Sequence, residues 1–550
     1  MKNEIAKIFD LIQKGNNIEA VRLAKSLFNK FPNNINSLKV LAYSFIQIGN
    51  FEKVVEILSQ GYEDQKNLKD YDYYNNMGYA YLQLEDFEQS IEYLKKAIQI
   101  KPENVQAYIS LADTYQKLKN FEIAYQTINK ALTLALSDPR GFDIEKNINL
   151  LLLKLEIDSS LNKTNETKAL FIKLLKEAFN ADLFFLLTRL HGSLEDNYEL
   201  VLLAESKLKL NDKNYFKGLA QKINYEASIC FGLGSYYQKK DDQKSEEFYI
   251  QANQKVFGFS RYNSHSYQAN ILAIIENYNQ EFIDYDESPS KDGQDNFFIV
   301  GSPRSGTTLV ESIITSNNKV FSGGELNLAK RTIENYIFSK NKSIKEFKED
   351  FLNSYLTKTS FIKNNFNFIV DKMPENFLFL GQLQKILPSS KFIRVFRNPW
   401  DIATSLYKER YILNVPYSTS FFNIGIFLSN FEAINIFWSQ NIKRKENIFD
   451  LKYEELVRMP EVLQKKLYDF LGLKNDEYDA SKRDNFFSNT ASMGQIKGKI
   501  HQKSVHKDIF KSKKQEFYDA FFSQRHYWQK KEIIDKNTND FFGYSLDNEA

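Results

Sequence analysis

The chain has 550 residues, a length that calls for more than one domain, and its 43% apolar and 26% charged content is enough to build packed cores. A formal net charge of only +3 excludes a global electrostatic case for nucleic acid or a membrane surface as partner. The single cysteine, Cys230, excludes an internal disulfide and suits a reducing compartment.

The N-terminal MKNEIAKIFDLIQKGN carries a charge every few residues, so it does not read as a signal peptide. LNLLLLKLEI at 148–157 is too short to span a bilayer, and a cytoplasmic protein without membrane contact is expected. The histidines His191, His265, His501, His506 and His526 have no Cys or acid at ligand spacing, so no metal site is expected.

Residues 1–138 read as repeats. Tyr74, Met77, Gly78, Tyr81, Leu94 and Ala97, in a copy closed by Pro102, return 34 residues later as Tyr108, Leu111, Ala112, Tyr115, Ile128 and Ala131, and Phe87 returns as Phe121. Ala20, Ala24 and Pro32 mark an earlier copy. Tyr43, Phe45, Phe51, Val55 and Leu58 mark another, offset by 36 and so carrying a small insertion. Small residues let two helices approach, larger apolar ones fill the groove to the next helix, and proline ends the pair. The pattern is that of tetratricopeptide repeats, an α-helical solenoid whose groove is expected to hold a peptide or protein.

Asp138-Pro139-Arg140-Gly141 breaks this period. Residues 139–290 read as a divergent helical region, with one degenerate copy at Leu233, Gly234, Tyr237, Ser245, Tyr249 and Ala252. Ser288 to Asp295 is polar with Pro and Gly and reads as a linker, so a second domain is expected over 291–550.

That domain opens on FFIVGSPRSGTTLVESIITSNNKVFSGGE, Phe297 to Glu325. Phe297–Val300 is an apolar run, as in a parallel strand covered on both faces. Gly301 and Gly306 bracket a loop of small and polar residues, and Thr307 and Thr308 start a helix with Leu309, Ile313 and Ile314 on one face. Strand, loop and helix N-terminus make an anion cradle. The glycine spacing fits a nucleotide-phosphate loop, but Thr307 stands where an ATP loop needs Lys, and Arg304 supplies the positive charge instead.

Ser302-Pro303-Arg304-Ser305-Gly306-Thr307-Thr308-Leu309 resembles the 5′-phosphosulfate loop of sulfotransferases that use 3′-phosphoadenosine 5′-phosphosulfate, closest to the protein-tyrosine sulfotransferase branch and its bacterial relatives with tetratricopeptide repeats. Lys391 to Pro399 reads as a strand running into a turn, with a helix from Pro399 through Tyr407. An Arg at the strand end and a Ser on the helix can grip a phosphate monoester. Arg397 and Ser405 match the family's 3′-phosphate motif. Ile369 to Pro374 is a strand ending in Lys372, and Phe449 to Leu456 resembles the family strand whose Tyr, here Tyr453, lies against the nucleotide. Ser492 to Lys497 and Ser504 to Lys507 look like the loop closing over the cofactor; Lys507 stands where relatives often carry Arg followed by an aromatic.

The resemblance implies an α/β P-loop-like domain with a central parallel sheet, and transfer of a sulfuryl group to an acceptor hydroxyl without a metal. The acceptor classes are peptide, protein, glycan or a small hydroxyl compound, with protein tyrosine favoured around Glu325. By the same resemblance Glu325 is the general base, and Arg304 and Lys372 meet charge on the transferring group. The resemblance likewise assigns cofactor binding to Pro303, Arg304, Ser305, Gly306, Thr307, Thr308, Arg397, Ser405, Tyr453, Ser492, Lys497 and Lys507. Two other classes share these features: a repeat scaffold with a cofactor-binding but inactive domain, and a nucleotide kinase or NTPase, whose Lys is missing here.

Because Thr307 replaces that Lys, adenosine 3′,5′-bisphosphate is expected to raise the melting temperature, and ATP with Mg²⁺ to raise it far less. Equal shifts in a thermal-unfolding assay would count against the reading.

Overall fold

The computed structural model describes the chain except residues 33, 64–69, 189–193, 195, 196, 210–215, 217, 239, 260, 261, 286–289, 340, 341, 364, 365, 412–414, 485, 487–508, 539 and 547–550. Two compact units result, Met1–Leu161 and Asn162–Ala550.

The first unit is built of helix hairpins. Helices Tyr71–Gln83 and Phe87–Ile100 recur as Val105–Lys117 and Phe121–Leu136, and Ile35–Gln47 with Phe51–Glu63 precede them. The small residues act as the pattern requires. A Cβ added at Gly78 would stand 2.6 Å from Leu94 Cγ, and Ala20, Ala24, Ala97, Ala112 and Ala131 are fully buried. Helix starts are capped by Asp70, Asp86 and Asn104, whose side chains accept from the backbone N–H of Tyr73, Gln89 and Gln106. The helix Ile144–Ser160 closes the unit and buries a Lys154–Asp158 ion pair one turn apart.

The second unit centres on a five-stranded sheet: β1 (Asn296–Gly301), β2 (Val320–Gly324), β3 (Phe368–Asp371), β4 (Lys391–Phe396) and β5 (Ile448–Lys452), in the order β2-β3-β1-β4-β5. Every pairing is parallel. All six residues of β1 are buried, as an apolar strand covered on both faces must be. Its side chains alternate between two cores. Phe297 and Ile299 join Val310, Ile313, Leu463 and Leu467 on one face, from the helices Thr307–Ile314 and Pro460–Leu471. Phe298 and Val300 join the larger core on the other face, around the helices Phe421–Asn441 and Lys514–Lys530.

That larger core also takes in Ala227, Cys230, Tyr249, Ile271 and Ile274 from the helices that precede the sheet. Gly234 approaches Tyr249 as Gly78 approaches Leu94: an added Cβ would stand 3.0 Å from the ring. Of the stretch Ser288 to Asp295 that reads as linker, the described part from Ser290 is tied to the sheet domain. Ser389 N donates to Asp292 O at 3.2 Å and Ser390 Oγ to Gly293 O at 3.0 Å. A short C-terminal hairpin, β6 (Asp540–Phe541) and β7 (Tyr544–Ser545), completes the unit.

Burial pushes the Cys230 thiol up to about 12, with Lys255 pulling the other way. At pH 8 its thiolate fraction, and so its labelling rate by a thiol reagent, should be lower by about 10³ in the native protein than in denaturant. Rapid native labelling would show that this core opens readily.

Candidate active site

Five parallel strands end on one edge, where open α/β sheets place their ligands. Each hands over one candidate residue as it leaves the sheet. Glu325 follows β2, Lys372 follows β3, the loop Ser302–Gly306 follows β1, Arg397 follows β4 and Tyr453 follows β5. The sheet order therefore sets the order across the edge: acid, Lys, loop, Arg, Tyr.

The loop is shaped by close approach. A Cβ at Gly301 would stand 2.7 Å from Val395 O, and one at Gly306 would collide with the Tyr453 ring. Gly306 also has φ 105° and Arg304 φ 71°, both left-handed. Glycine adopts this freely; for Arg304 it is strained backbone that the surroundings must hold. Ser305 N donates to Ser302 O at 3.1 Å, folding the loop toward the start of the helix Thr307–Ile314. Ser305 Oγ is buried without a hydrogen-bond partner, a costly state that a bound anion would relieve. With the helix N-terminus and two nearby guanidinium groups, this donor set fits the phosphates of a nucleotide.

The guanidinium groups interlock. Arg304 Nε donates to Ser405 Oγ at 2.9 Å, and its Nη2 lies 3.3 Å from Glu409 Oε1. Arg397 Nη1 donates to Arg304 O at 3.1 Å, and its guanidinium lies 4.5 Å from the centre of the Tyr453 ring. Ser405 is thus held by Arg304, where the sequence alone suggested Arg397. Asn398 caps the helix Pro399–Tyr407, accepting from Trp400 N and Asp401 N, which fixes the turn carrying Arg397.

On the other side of the loop, Lys372 Nζ donates to Glu325 Oε1 at 2.5 Å and lies 3.9 Å from Glu311 Oε2. Lys372 is buried, at 1% side-chain exposure, whereas Glu325 is 41% exposed and reachable from solvent. Gly324 at φ 68° makes the turn that aims Glu325, and Lys372 N donates to Gly324 O at 2.8 Å. Ser322 Oγ donates to Glu311 Oε1 at 2.6 Å.

Pro303, Arg304, Ser305, Gly306, Thr307, Thr308, Lys372, Glu325, Arg397, Ser405 and Tyr453 all lie on this edge or on the two helices leaving it. Ser492, Lys497 and Lys507 fall outside the described residues. Sequence reading missed Glu311 and Glu409. Glu311 had a signal, one turn beyond Thr307 and Thr308 in the same helix; Glu409, four residues past Ser405, had little beyond that spacing.

The edge is the C-terminal end of a parallel α/β sheet. Residues 296–477 match the model of the sulfotransferase family, and residues 71–104 and 105–138 each match tetratricopeptide repeat models. The chain thus carries tetratricopeptide repeats followed by a sulfotransferase family domain. An uncharacterized protein of Aquifex aeolicus (strain VF5) is 30% identical over 304 residues, which cover 51% of this chain and 39% of that one. The chain therefore spans about two fifths of that relative's length. Among solved structures, the sulfotransferase domain from the Synechococcus PCC 7002 olefin synthase aligns at 16% identity and a TM-score of 0.28, over 46% of this chain and 98% of that one. A sulfotransferase from Mycobacterium avium aligns at 12% identity and 0.25, over 52% and 86%.

Arg397→Ala should remove a charge-assisted contact worth roughly 1.5–3 kcal/mol to a 3′-phosphate. Calorimetry should find adenosine 3′,5′-bisphosphate weakened and adenosine 5′-phosphate barely changed. Equal weakening of both would make Arg397 a structural residue.

Proposed function

We propose that this protein transfers a sulfuryl group from 3′-phosphoadenosine 5′-phosphosulfate to an acceptor hydroxyl. The observation that carries the reading is the Glu325–Lys372 contact on one side of an anion-type loop, with Arg397 on the other. When bound, the co-substrate supplies an activated sulfuryl group and a bisphosphate leaving group. The 5′-phosphate falls to the loop N–H groups behind Pro303, with Ser305, Gly306, Thr307 and Thr308. Arg397 and Ser405 take the 3′-phosphate, and Tyr453 lies against the nucleotide. By the family resemblance, Ser492, Lys497 and Lys507 belong to the closing loop.

Glu325 is suited to take the acceptor's proton, because it alone of the two carboxylates beside Lys372 is reachable; Glu311 is 2% exposed. Protonation of Glu325 weakens its hold on Lys372. The ammonium is then drawn to the charge growing on the bridging oxygen, and Arg304 meets charge on the transferring group. Buried Glu311 stands 3.9 Å from the Lys372 ammonium.

Protein tyrosine is the finer acceptor assignment, supported by the resemblance around Glu325 and by repeats of a class that often grips peptides. No helix among the described residues is long and apolar enough to cross a membrane. Together with the lone buried Cys230 this favours a cytoplasmic setting. Sulfur label from the co-substrate, traced into proteins, glycans and small molecules of a cell extract, separates the acceptor classes. Label confined to glycans or small molecules would overturn the tyrosine assignment.

Glu325→Gln keeps the shape and removes the basicity. Transfer should fall by about 10²–10⁴ with bisphosphate affinity close to wild type. An active Glu325→Gln enzyme would move the base to another group.

A further inference from the structure

The C-terminal hairpin lies beyond the segment matched to the sulfotransferase family, which ends at residue 477, yet it reaches the phosphate side of the edge. Tyr544 OH donates to Glu454 Oε2 and lies 3.4 Å from Phe396 O. Glu454 Oε1 in turn accepts from Asn398 N at 3.0 Å. The Glu454 carboxylate thus bridges the Tyr544 hydroxyl to the backbone N–H of the residue after Arg397, while the hydroxyl lies beside the carbonyl of the residue before it. The Phe542 ring stacks on Phe396 at 4.1 Å, pressing on the same strand end.

The hairpin is itself fixed from both sides. Lys452 Nζ, at the end of β5, donates to Gly543 O at 3.2 Å and lies 5.1 Å from the Tyr544 ring centre. Gly543 N donates to Asp540 Oδ1 at 2.6 Å, and Asp540 O accepts from Arg525 Nη2 at 2.8 Å. Arg525 is anchored in the core by Glu432 at 3.0 Å. A chain of contacts therefore runs from the interior through the hairpin to the turn at Arg397. Burial and the adjacent Glu454 charge push the Tyr544 phenol far up, so it remains a donor at every pH the protein meets.

We propose that Tyr544, acting through Glu454, is a positioning residue that sets the Arg397 turn for a ligand's 3′-phosphate. The inference rests on the cofactor reading given above. It makes the C-terminal hairpin part of the binding machinery: a hydroxyl more than 140 residues away steadies, through Glu454, the main chain just after Arg397. Small errors in such a turn are costly, because a charge-assisted contact to phosphate depends on both distance and direction.

The test uses the full chain. Tyr544→Phe removes the hydroxyl and keeps the ring against Lys452. Calorimetry should find adenosine 3′,5′-bisphosphate weakened roughly three- to tenfold, adenosine 5′-phosphate changed less than about twofold, and the melting temperature nearly unmoved. Glu454→Gln, which leaves the hairpin chemically intact, should give the same selective loss. A Tyr544→Phe protein that weakens both nucleotides alike, or neither, overturns the assignment while wild-type binding of the bisphosphate keeps the cofactor reading. If Tyr544→Phe is grossly unstable, Glu454→Gln decides between the same outcomes. A wild-type protein that binds neither nucleotide overturns both.

Discussion

The site depends on one constraint, the parallel alignment of five strands buried on both faces. Parallel strands put all their C-terminal ends on one edge, and the strand order β2-β3-β1-β4-β5 fixes what stands beside what. Residues from 302 to 453 become neighbours only because β1 is held centrally between β3 and β4. That central place follows from side-chain alternation: Phe297 and Ile299 enter one core, Phe298 and Val300 the other. A full side chain of this kind is worth about 1.5–3 kcal/mol on burial. A slip of one residue would exchange the two faces and move Ser302 and Arg304 off the edge.

The sequence made much of this legible because the site is built from local motifs at strand ends. The run Phe297–Val300, the glycines 301 and 306, and the turn at Gly323-Gly324 each announce their geometry through backbone chemistry that few residue types tolerate. The helix hairpins were legible for a similar reason: a glycine against Leu94 recurs as Ala112 at one fixed interval. Contacts that cross between distant segments were not legible. Nothing local to Ser405 says that Arg304, 101 residues earlier, takes its hydroxyl. Nothing local to Tyr544 says that it meets Glu454. Ser290–Asp295 looked like a linker because its composition is polar, but the backbone carbonyls that tie it to Ser389 and Ser390 leave no trace in composition.

Each cation of the edge has an acid assigned to it. Glu409 faces Arg304, Glu325 and Glu311 face Lys372, and Glu454 braces the turn of Arg397. In a low-dielectric site an ammonium or guanidinium left alone would be expensive, so these acids hold the cations in place before any anion arrives. They also impose a cost. An incoming anion must compete with Glu409 for Arg304 and with Glu325 for Lys372, which disfavours monovalent anions more than a ligand that engages several donors at once. Arg397 is braced through the backbone of its turn and laid on Tyr453, and its Nη1 donates to Arg304 O.

This asymmetry gives the edge a direction. On the Arg397 side the geometry is fixed in advance by a cap, a stacked ring and a clasped turn, which suits binding. On the Glu325 side the contact is a single hydrogen bond to a half-exposed carboxylate, which one proton can break. In the proposed reaction that contact has a use. Proton uptake by Glu325 and release of Lys372 toward the departing oxygen are the same event, so the cation is freed at the moment when negative charge appears for it to meet.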